Sequence, residues 1–395
     1  MEKIRLGDVC EVLNGYAFKS EKYVDKGIRI IRITNVQKGF IEDKEPQFYP
    51  IEKKTEIEKY MLQDDDLLIS LTGNVGRVAL LEERYLPAAL NQRVGCLRIK
   101  DKNILKSFLF HCLNSDYFEN KCIVSAKGVA QKNMSTEWLK ELKIPLLPVS
   151  EQESISNTLD KMDKLISIRK QQLGKLDELV KARFVELFGD PYINDKNWMV
   201  DTLGNYMTTL TDFSANGSYE LLDSNVVMYD EPNYAIMVRT TDLESGDLSS
   251  GVKYIDESAY ELLSKSKLFG GELIMNKIGS AGKIYILPYI DRPASLGRNA
   301  FMFRFDDRLN MKYLYFLLTS DYGTKEIQQY VRGAVTKTIT KESTRAIKII
   351  VPPIEIQNQF ATFVEQTDKS KMEVQKSLEK LELLKKALMQ KYFGG

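Results

Sequence analysis

One long stretch of the sequence occurs twice, and this duplication limits the possible folds more than any other feature. When the sequence is shifted by 205 positions, residues 148–189 align with residues 353–394 without a gap. Gln152 then falls on Gln357, and both copies end in Phe-Gly. A period of this length predicts two equivalent domains, because solenoid repeats are much shorter.

Each copy of the repeat has the pattern of one long helix. Apolar residues recur alternately every four and every three positions, which is the heptad spacing of a coiled coil. We expect Ser150 or Glu151 to start the first helix and Gly189 to end it. About 37 residues at about 1.5 Å each correspond to a rod of about 55 Å.

A narrow apolar stripe on a helix needs a partner, and the other copy carries the same stripe. The alternative is two unrelated long surface helices, which would not need to share a register. We therefore predict that the helices pack against each other through a seam formed by Ile155, Leu159, Met162, Ile166, Leu173, Leu176, Val180, Phe360, Val364, Val374, Leu378 and Leu381.

The rest of the chain repeats more loosely. Residues 31–35 match residues 238–242, and residues 65–77 match residues 271–283 with both glycines retained. The predicted plan is a globular domain, a helix, a second globular domain and a second helix, with bounds at residues 1–147, 148–189, 190–352 and 353–395.

Strand and helix patterns alternate irregularly in the first globular region. Short apolar runs between turn residues predict strands, and a longer amphipathic pattern predicts one helix. Such a mixture favours an α+β domain with a mainly β core. The predicted strands are Ile28–Ile33, Leu67–Ser70, Arg77–Leu81 and Val94–Ile99, and the predicted helix is Lys106–Asn120.

The composition excludes several classes of site. The chain has one histidine, His111, and four cysteines without CxxC spacing, so neither a zinc site nor a histidine-dependent triad is expected. We expect His111 to have a packing role and the cysteines to be reduced. No secretory signal pattern and no membrane-length apolar run occurs, which predicts a cytoplasmic protein. The net charge of +1 still permits local basic patches.

Catalytic motifs are also poorly matched. Asp190-Pro191-Tyr192 lacks the second proline of the motif with which amino-methyltransferases grip a flipped adenine. No GxGxxG cofactor loop follows a strand, and the acidic pairs lack the spacing of a nuclease metal site. We therefore expect no catalytic residues, no metal and no cofactor in this chain.

Polar loops at equivalent places in the two halves are candidates for nucleic-acid contact. Arg, Lys, Asn and Gln side chains match the donors and acceptors of base edges, and glycine turns beside a cation suit a phosphate. A solvated loop or an ordinary hairpin turn remains an alternative for each one. These candidates are Arg77, Asn91, Gln92, Arg93, Gln131, Lys132, Asn133, Asn276, Lys277, Lys283, Arg298, Asn299 and Lys337.

The whole chain resembles the DNA specificity subunit of type I restriction-modification enzymes. The resemblance rests on the opening Leu6-Gly7-Asp8 with Asn14–Lys19, on residues 31–35 and 65–76, and on the helix start and end. Asn14–Lys19 has no clear counterpart in residues 211–218. The resemblance and the duplication add further candidate DNA contacts, namely Tyr16, Lys19, Arg32, Thr34, Asn35, Thr72, Asn74, Lys127, Arg239, Thr241, Asp242, Ser280, Arg332, Thr336 and Thr338.

The resemblance implies a non-catalytic subunit with two target recognition domains. Each domain would read one half of a split, asymmetric site in double-stranded DNA. The two helices would pack antiparallel and set the gap between the half-sites. Two modification subunits, which use S-adenosylmethionine, would dock on the helices, and restriction subunits, which use ATP, would join them.

Two other functions are considered. A self-contained methyltransferase or restriction enzyme would require a cofactor motif, and none is visible in the sequence. A coiled-coil scaffold with two protein-binding domains would share the same domain plan. It would have no DNA target.

Overall fold

A computed structural model describes residues 2–126 and 133–394, and the chain divides into two compact units. Unit 1 comprises Met1–Gln172 with Val374–Gly395, and unit 2 comprises Leu173–Glu373. The division therefore falls within the two long helices, whereas the predicted domain bounds lie at the helix ends.

Unit 1 combines short strands with short helices before the first long helix. Its 3₁₀ helices are Ser20–Lys22, Ile51–Tyr60 and Glu83–Tyr85. Its strands are β1 (Lys3–Arg5), β2 (Cys10–Asn14), β3 (Ile28–Ile31), β4 (Phe48–Tyr49), β5 (Leu67–Ser70), β6 (Val78–Leu80), β7 (Ala88–Leu90), β8 (Val94–Ile99) and β9 (Lys143–Pro145). The helices are α1 (Leu6–Val9), α2 (Lys106–Leu113), α3 (Asp116–Ser125), α4 (Thr136–Glu141) and the long α5 (Val149–Phe188).

Unit 2 has a similar order of elements. Its 3₁₀ helices are Leu203–Tyr206, Phe213–Asn216 and Ser264–Ser266. Its strands are β10 (Met199–Thr202), β11 (Met207–Asp212), β12 (Ala235–Val238), β13 (Lys253–Ile255), β14 (Lys267–Leu268), β15 (Leu273–Asn276), β16 (Ile284–Ile286), β17 (Ala294–Leu296), β18 (Ala300–Phe305) and β19 (Lys348–Val351). The helices are α6 (Tyr219–Asn225), α7 (Thr240–Ser245), α8 (Glu257–Leu262), α9 (Met311–Thr319), α10 (Asp321–Gln328), α11 (Lys341–Arg345) and the long α12 (Ile354–Phe393).

The main sheets of the two units have the same strand order, and the second sheet of unit 2 has one strand more than that of unit 1. The four-stranded sheet has the order β2-β8-β5-β6 in unit 1 and β11-β18-β15-β16 in unit 2, with antiparallel pairs throughout. A second sheet contains one parallel pair, β3 with β7 in unit 1 and β12 with β17 in unit 2. The predicted α+β class with two similar globular parts is confirmed.

Most predicted elements of unit 1 are confirmed, and one helix is corrected. Strands β5 and β8 have the predicted bounds, and β3 ends two residues earlier than predicted. The single helix predicted over residues 106–120 is wrong. Ser115 breaks it, because its hydroxyl donates to the carbonyl of Cys112, ending α2, and accepts from the amide of Phe118, starting α3.

The four cysteines and the histidine are buried in unit 1. Burial raises the pKa of the Cys10, Cys112 and Cys122 thiols to about 12. His111 is 2% exposed, and its Nε2 lies 2.7 Å from Oδ1 of Asp160 on α5. The predicted packing role of His111 therefore includes a polar link between α2 and α5.

The two long helices run antiparallel. Within unit 1, Asp163 pairs with Lys385, and Lys170 lies 2.9 Å from Glu382. Within unit 2, Asp177 pairs with Lys371 at 2.5 Å and the rings of Phe184 and Phe360 are 5.4 Å apart. Successive residues of α5, from Asp163 to Phe184, thus contact residues of α12 with decreasing numbers, from Lys385 to Phe360.

The predicted helical seam lies on the buried side of both helices. All twelve of its residues are buried or half-buried. The two ends of the seam also pack into the globular cores. Ile155 and Leu159 belong to the core of unit 1, and Val180 and Phe360 belong to the core of unit 2. Gly189 follows α5 with a φ of +75°, as expected for a glycine that ends a helix.

A fully buried glutamine fixes the start of each long helix. Nε2 of Gln152 donates to the carbonyls of Asn103 and Leu147, and its Oε1 accepts from the amide of Leu105. Gln357 makes the equivalent bonds to three backbone groups at residues 308, 352 and 310. Both side chains are 0% exposed, so each amide joins the helix to the loop before α2 or α9.

We predict that Gln152→Ala and Gln357→Ala each lower the free energy of unfolding by about 1–3 kcal/mol, because each removes three hydrogen bonds made by a fully buried side chain. Urea unfolding of the full chain measures the change. Gln171→Ala, at an exposed position of α5, is the control and should change stability by less than about 0.5 kcal/mol. Equal effects of all three substitutions would contradict the anchoring role.

Candidate nucleic-acid interface

Three loops of unit 1 meet at one end of its sheets. The amide of Leu71 donates to the carbonyl of Arg93, and the amide of Met134 donates to the carbonyl of Leu71. Thr72 and Asn133 form an isolated β-bridge. The loops of residues 71–77, 91–93 and 133–134, here called loop cluster 1, are thereby held together by main-chain hydrogen bonds.

Unit 2 contains the same arrangement. The amide of Lys277 donates to the carbonyl of Asn299, and the amide of Ile339 donates to the carbonyl of Lys277. Ile278 and Thr338 form the equivalent β-bridge. The loops of residues 277–283, 297–299 and 332–339 are here called loop cluster 2. Two main-chain hydrogen bonds and one β-bridge of this cluster are equivalent to those of loop cluster 1.

Many candidate side chains in the two clusters and their neighbouring loops face solvent. The exposed ones in unit 1 are Lys19, Thr34, Asn74, Gln92, Arg93 and Asn133, and those in unit 2 are Thr241, Ser280, Lys283, Arg298, Asn299, Arg332, Thr336, Lys337 and Thr338. Tyr16, Arg32, Thr72, Arg77, Arg239 and Lys277 are half-buried. Lys127, Gln131 and Lys132 lie outside the described residues.

Four candidates are buried and form part of the framework. Oδ1 of Asn35 accepts from the amide of Arg32 at 2.9 Å, and Oδ2 of Asp242 accepts from that of Arg239 at the same distance. Asn91 is 7% exposed and its Oδ1 caps the amide of Arg93, while Asn276 donates to the hydroxyl of Tyr285. Their burial removes these four side chains from the surface that we propose for DNA.

The glycine turns are hairpin turns that bring a cation to the surface. Gly73 and Gly279 have φ values of +67° and +80°, and an added Cβ would meet no atom within 4 Å at either position. The amides of Gly76 and Gly282 close the turns, since they donate to the carbonyls of Ser70 and Asn276. A cavity of about 560 Å³ beside the second turn is lined by Ser280, Lys283 and Lys337.

Several cations of unit 2 are paired with carboxylates. Nζ of Lys283 lies 3.6 Å from Glu244, whose pKa is lowered by a hydrogen bond from the Ser280 hydroxyl and by the charge of Lys283. Arg298 donates to Asp223 at 3.0 Å. Phosphate or base contacts by these cations would require the carboxylates to move or to be outcompeted. In unit 1, Arg77 instead donates to the neutral amide of Gln37.

A buried carboxylate in unit 2 was not found from the sequence. Asp212 is 6% exposed and accepts from Nζ of Lys277 at 2.7 Å and from Nζ of Lys341 at 2.9 Å. Its burial alone would raise its pKa, but the hydrogen bonds from the two lysines outweigh burial and hold the pKa below its ordinary value. The ammonium group of Lys277 is therefore engaged in a hydrogen bond inside unit 2 with Asp212.

The segment Asn14–Lys19 has no clear counterpart by sequence in residues 211–218, but strand register gives its first residue, Asn14, a structural counterpart in unit 2. Asn14 pairs with Gly95 at the end of β2, and Asp212 pairs with Phe301 at the corresponding end of β11. Asn14 contacts Thr136 at 3.3 Å where Asp212 contacts Lys341. Sequence matching could not find this equivalence, because Asn14 is replaced by Asp212 and its contact residue Thr136 is replaced by Lys341.

Metal clusters and membrane-spanning helices are absent from the described part of the chain. Within residues 2–126 and 133–394, no group of three His, Cys, Asp or Glu side chains is arranged to hold a metal ion. In the same ranges, no helix combines the length and the apolar character needed to cross a membrane.

A family model agrees with the duplicated architecture. The model of the type I restriction modification DNA specificity domain matches residues 1–178 and again residues 205–385. The two matches together cover most of the chain and correspond to the two halves of the repeat.

Curated relatives have the same description. The chain is 35% identical over 185 residues to the type I restriction enzyme EcoAI specificity subunit of Escherichia coli, and 28% identical over 200 residues to the MjaVIII specificity subunit of Methanocaldococcus jannaschii. These alignments cover 46% and 50% of this chain. They span 30% and 47% of the relatives' lengths, so the chain matches less than half of either relative.

A solved structure has a similar fold over nearly its whole length. The S subunit of a type I restriction-modification system from M. genitalium superposes with a TM-score of 0.59 at 16% identity. The superposition covers 99% of this chain and 96% of the other. At this identity the similarity establishes the fold.

We predict that Asp212→Asn lowers the free energy of unfolding at neutral pH by about 1.5–3 kcal/mol, because two lysines lose a charged acceptor. Asp212 has a lowered folded-state pKa, so its contribution is full above the ordinary value of 3.8 and is lost as the pH falls through the lowered value. Urea unfolding at several pH values measures this dependence.

The exposed Asp307→Asn provides the control for this test. We expect the difference between Asp212→Asn and the parent chain to disappear in acid, and Asp307→Asn to resemble the parent throughout. A difference that stays constant down to the most acidic pH would exclude the charge of Asp212 as its cause.

Proposed function

Because the chain belongs to the type I restriction modification DNA specificity family, we propose that it is the DNA-reading subunit of a type I restriction-modification complex. Each unit reads one half of a bipartite, asymmetric site in double-stranded DNA, and the chain itself catalyses no reaction. It acts in the cytoplasm, where its DNA target is accessible.

The repeated loop clusters support this proposal most strongly. The same main-chain hydrogen bonds assemble three loops at the end of the sheets in both units, as described above for Leu71 and Lys277. The exposed side chains on these loops differ, for example Gln92-Arg93 in unit 1 and Arg298-Asn299 in unit 2. The same main-chain framework with different exposed side chains is consistent with two domains that read different half-sites.

Different side chains of each cluster are assigned to phosphates and to base edges. The cations on the glycine turns, Arg77 and Lys283, suit phosphates. Phosphate contacts fix the position of the protein on DNA without reading its sequence. Gln92 and Asn299 carry paired donors and acceptors, and Arg93 carries paired donors, which suit the base edges in the major groove. Affinity would then depend on salt through the first group and on sequence through the second.

The long helices supply the remaining functions. We assign to α5 and α12 the spacing between the half-sites and the docking of two methyltransferase subunits. These subunits bind S-adenosylmethionine, and ATP-dependent restriction subunits complete the assembly. Neither cofactor is assigned to this chain.

We predict that Arg93→Ala weakens binding of the assembled complex to its own site by about 1–3 kcal/mol if Arg93 makes a bidentate contact with a base. Gel-shift titration against the specific site and against a site altered in one half measures the loss. A base contact would reduce discrimination at one position. A phosphate contact would instead weaken binding to both DNAs equally and reduce the salt dependence.

Arg84→Ala is the matched control. Arg84 is also exposed in unit 1, but it lies on the 3₁₀ helix Glu83–Tyr85, which belongs to none of the three loops of loop cluster 1. We expect the complex with Arg84→Ala to bind DNA with the same affinity as the parent complex. Parent-like affinity of Arg93→Ala would remove Arg93 from the interface.

A further inference from the structure

The segment after α5 covers one end of unit 2. Residues 190–198 form a compact turn in which Oδ1 of Asp195 accepts from the amide of Asp190 at 2.8 Å. The ring of Tyr192 packs edge-on against Tyr322 of α10 at 5.5 Å, with Nζ of Lys325 4.9 Å from its centre. Nε1 of Trp198 donates to the carbonyl of Phe188 at 2.9 Å.

Unit 1 has the same surface without such a cover among the described residues. Tyr117 of α3 corresponds to Tyr322, and Phe393 at the end of α12 corresponds to Phe188. These two residues, with Leu142 and Tyr392, line a cavity of about 320 Å³. That volume is about ten times the volume of a water molecule in the liquid, enough for an aromatic side chain with part of its backbone.

The rim of this cavity differs in charge from the covered surface of unit 2. Lys3, Lys121, Lys143 and Lys391 surround it. The equivalent positions in unit 2, from the repeat and from the pairing of β1 and β10, hold Val200, Glu326, Lys348 and Glu186. Four cations around an apolar floor favour a ligand that is both acidic and aromatic.

We propose that this cavity of unit 1 is a docking site for a partner polypeptide segment that carries aromatic residues beside carboxylates. An aromatic ring enters against Tyr117, as Tyr192 does against Tyr322, and carboxylates pair with Lys121 and Lys391. The carbonyl of Phe393 is the equivalent of the acceptor that Trp198 uses. Unit 2 cannot bind the same segment, because its surface is covered and two of the rim positions are glutamates.

The test uses a capped synthetic peptide with the sequence of residues 190–198, titrated into the full chain by calorimetry. We expect saturable binding of one peptide per chain. A chain with Lys121→Glu and Lys391→Glu, the charges found in unit 2, should bind at least about tenfold more weakly. A peptide with Tyr192→Ala and Trp198→Ala should not bind, and this comparison leaves the folded chain unchanged.

Lys54→Glu with Lys59→Glu is the matched control, since both lysines are exposed in unit 1 and lie on the 3₁₀ helix Ile51–Tyr60, which does not line the cavity. The control should bind the peptide like the parent. The proposal is overturned if the parent shows no saturable binding, if the control weakens binding equally, or if inorganic phosphate at the same concentration displaces the peptide. The test contains no DNA, so its failure leaves the DNA-reading function standing.

Discussion

One buried side-chain amide holds each long helix to its globular part, and the position of the helix depends on it. The fully buried side chains of Gln152 and Gln357 make three hydrogen bonds each to backbone groups. A buried polar group left unpaired costs about 1–3 kcal/mol, so alternative positions of the helix are disfavoured. The apolar contacts of Ile155 and Phe360 with the two cores then add strength to a position that the amides specify.

The loop clusters of the two units share a main-chain framework and differ in their side chains. Their main-chain hydrogen bonds recur in both units, whereas the side chains that cross-link the neighbouring elements have changed. Asn14 contacts Thr136 in unit 1, and Asp212 contacts Lys341 in unit 2. A fold that fixes its loops through the backbone tolerates such exchanges, and its exposed side chains can diverge without loss of stability.

The sequence predicted the parts of the fold that depend on local pattern. The long helices follow from heptads and the strands β5 and β8 from short apolar runs. The break at Ser115 was missed, because Ser115 lies within an amphipathic pattern and caps α3 only where the chain can turn. The burial of Asn35, Asn91, Asp242 and Asn276 does not follow from the sequence, because burial of a short polar side chain depends on three-dimensional packing.

The central claim is the proposal that the helix pair sets the distance between two units that read different half-sites. Insertion of one heptad after Leu173 and one after Leu378, its counterpart in α12, tests this claim most directly. Methylated sites are mapped in the genome of cells that also express the partner subunits. A seven-residue insertion after Gly251, in an exposed loop of unit 2, is the control. The account predicts unchanged half-sites with a longer gap for the helix variant only. An unchanged gap, or altered half-sites, would contradict it.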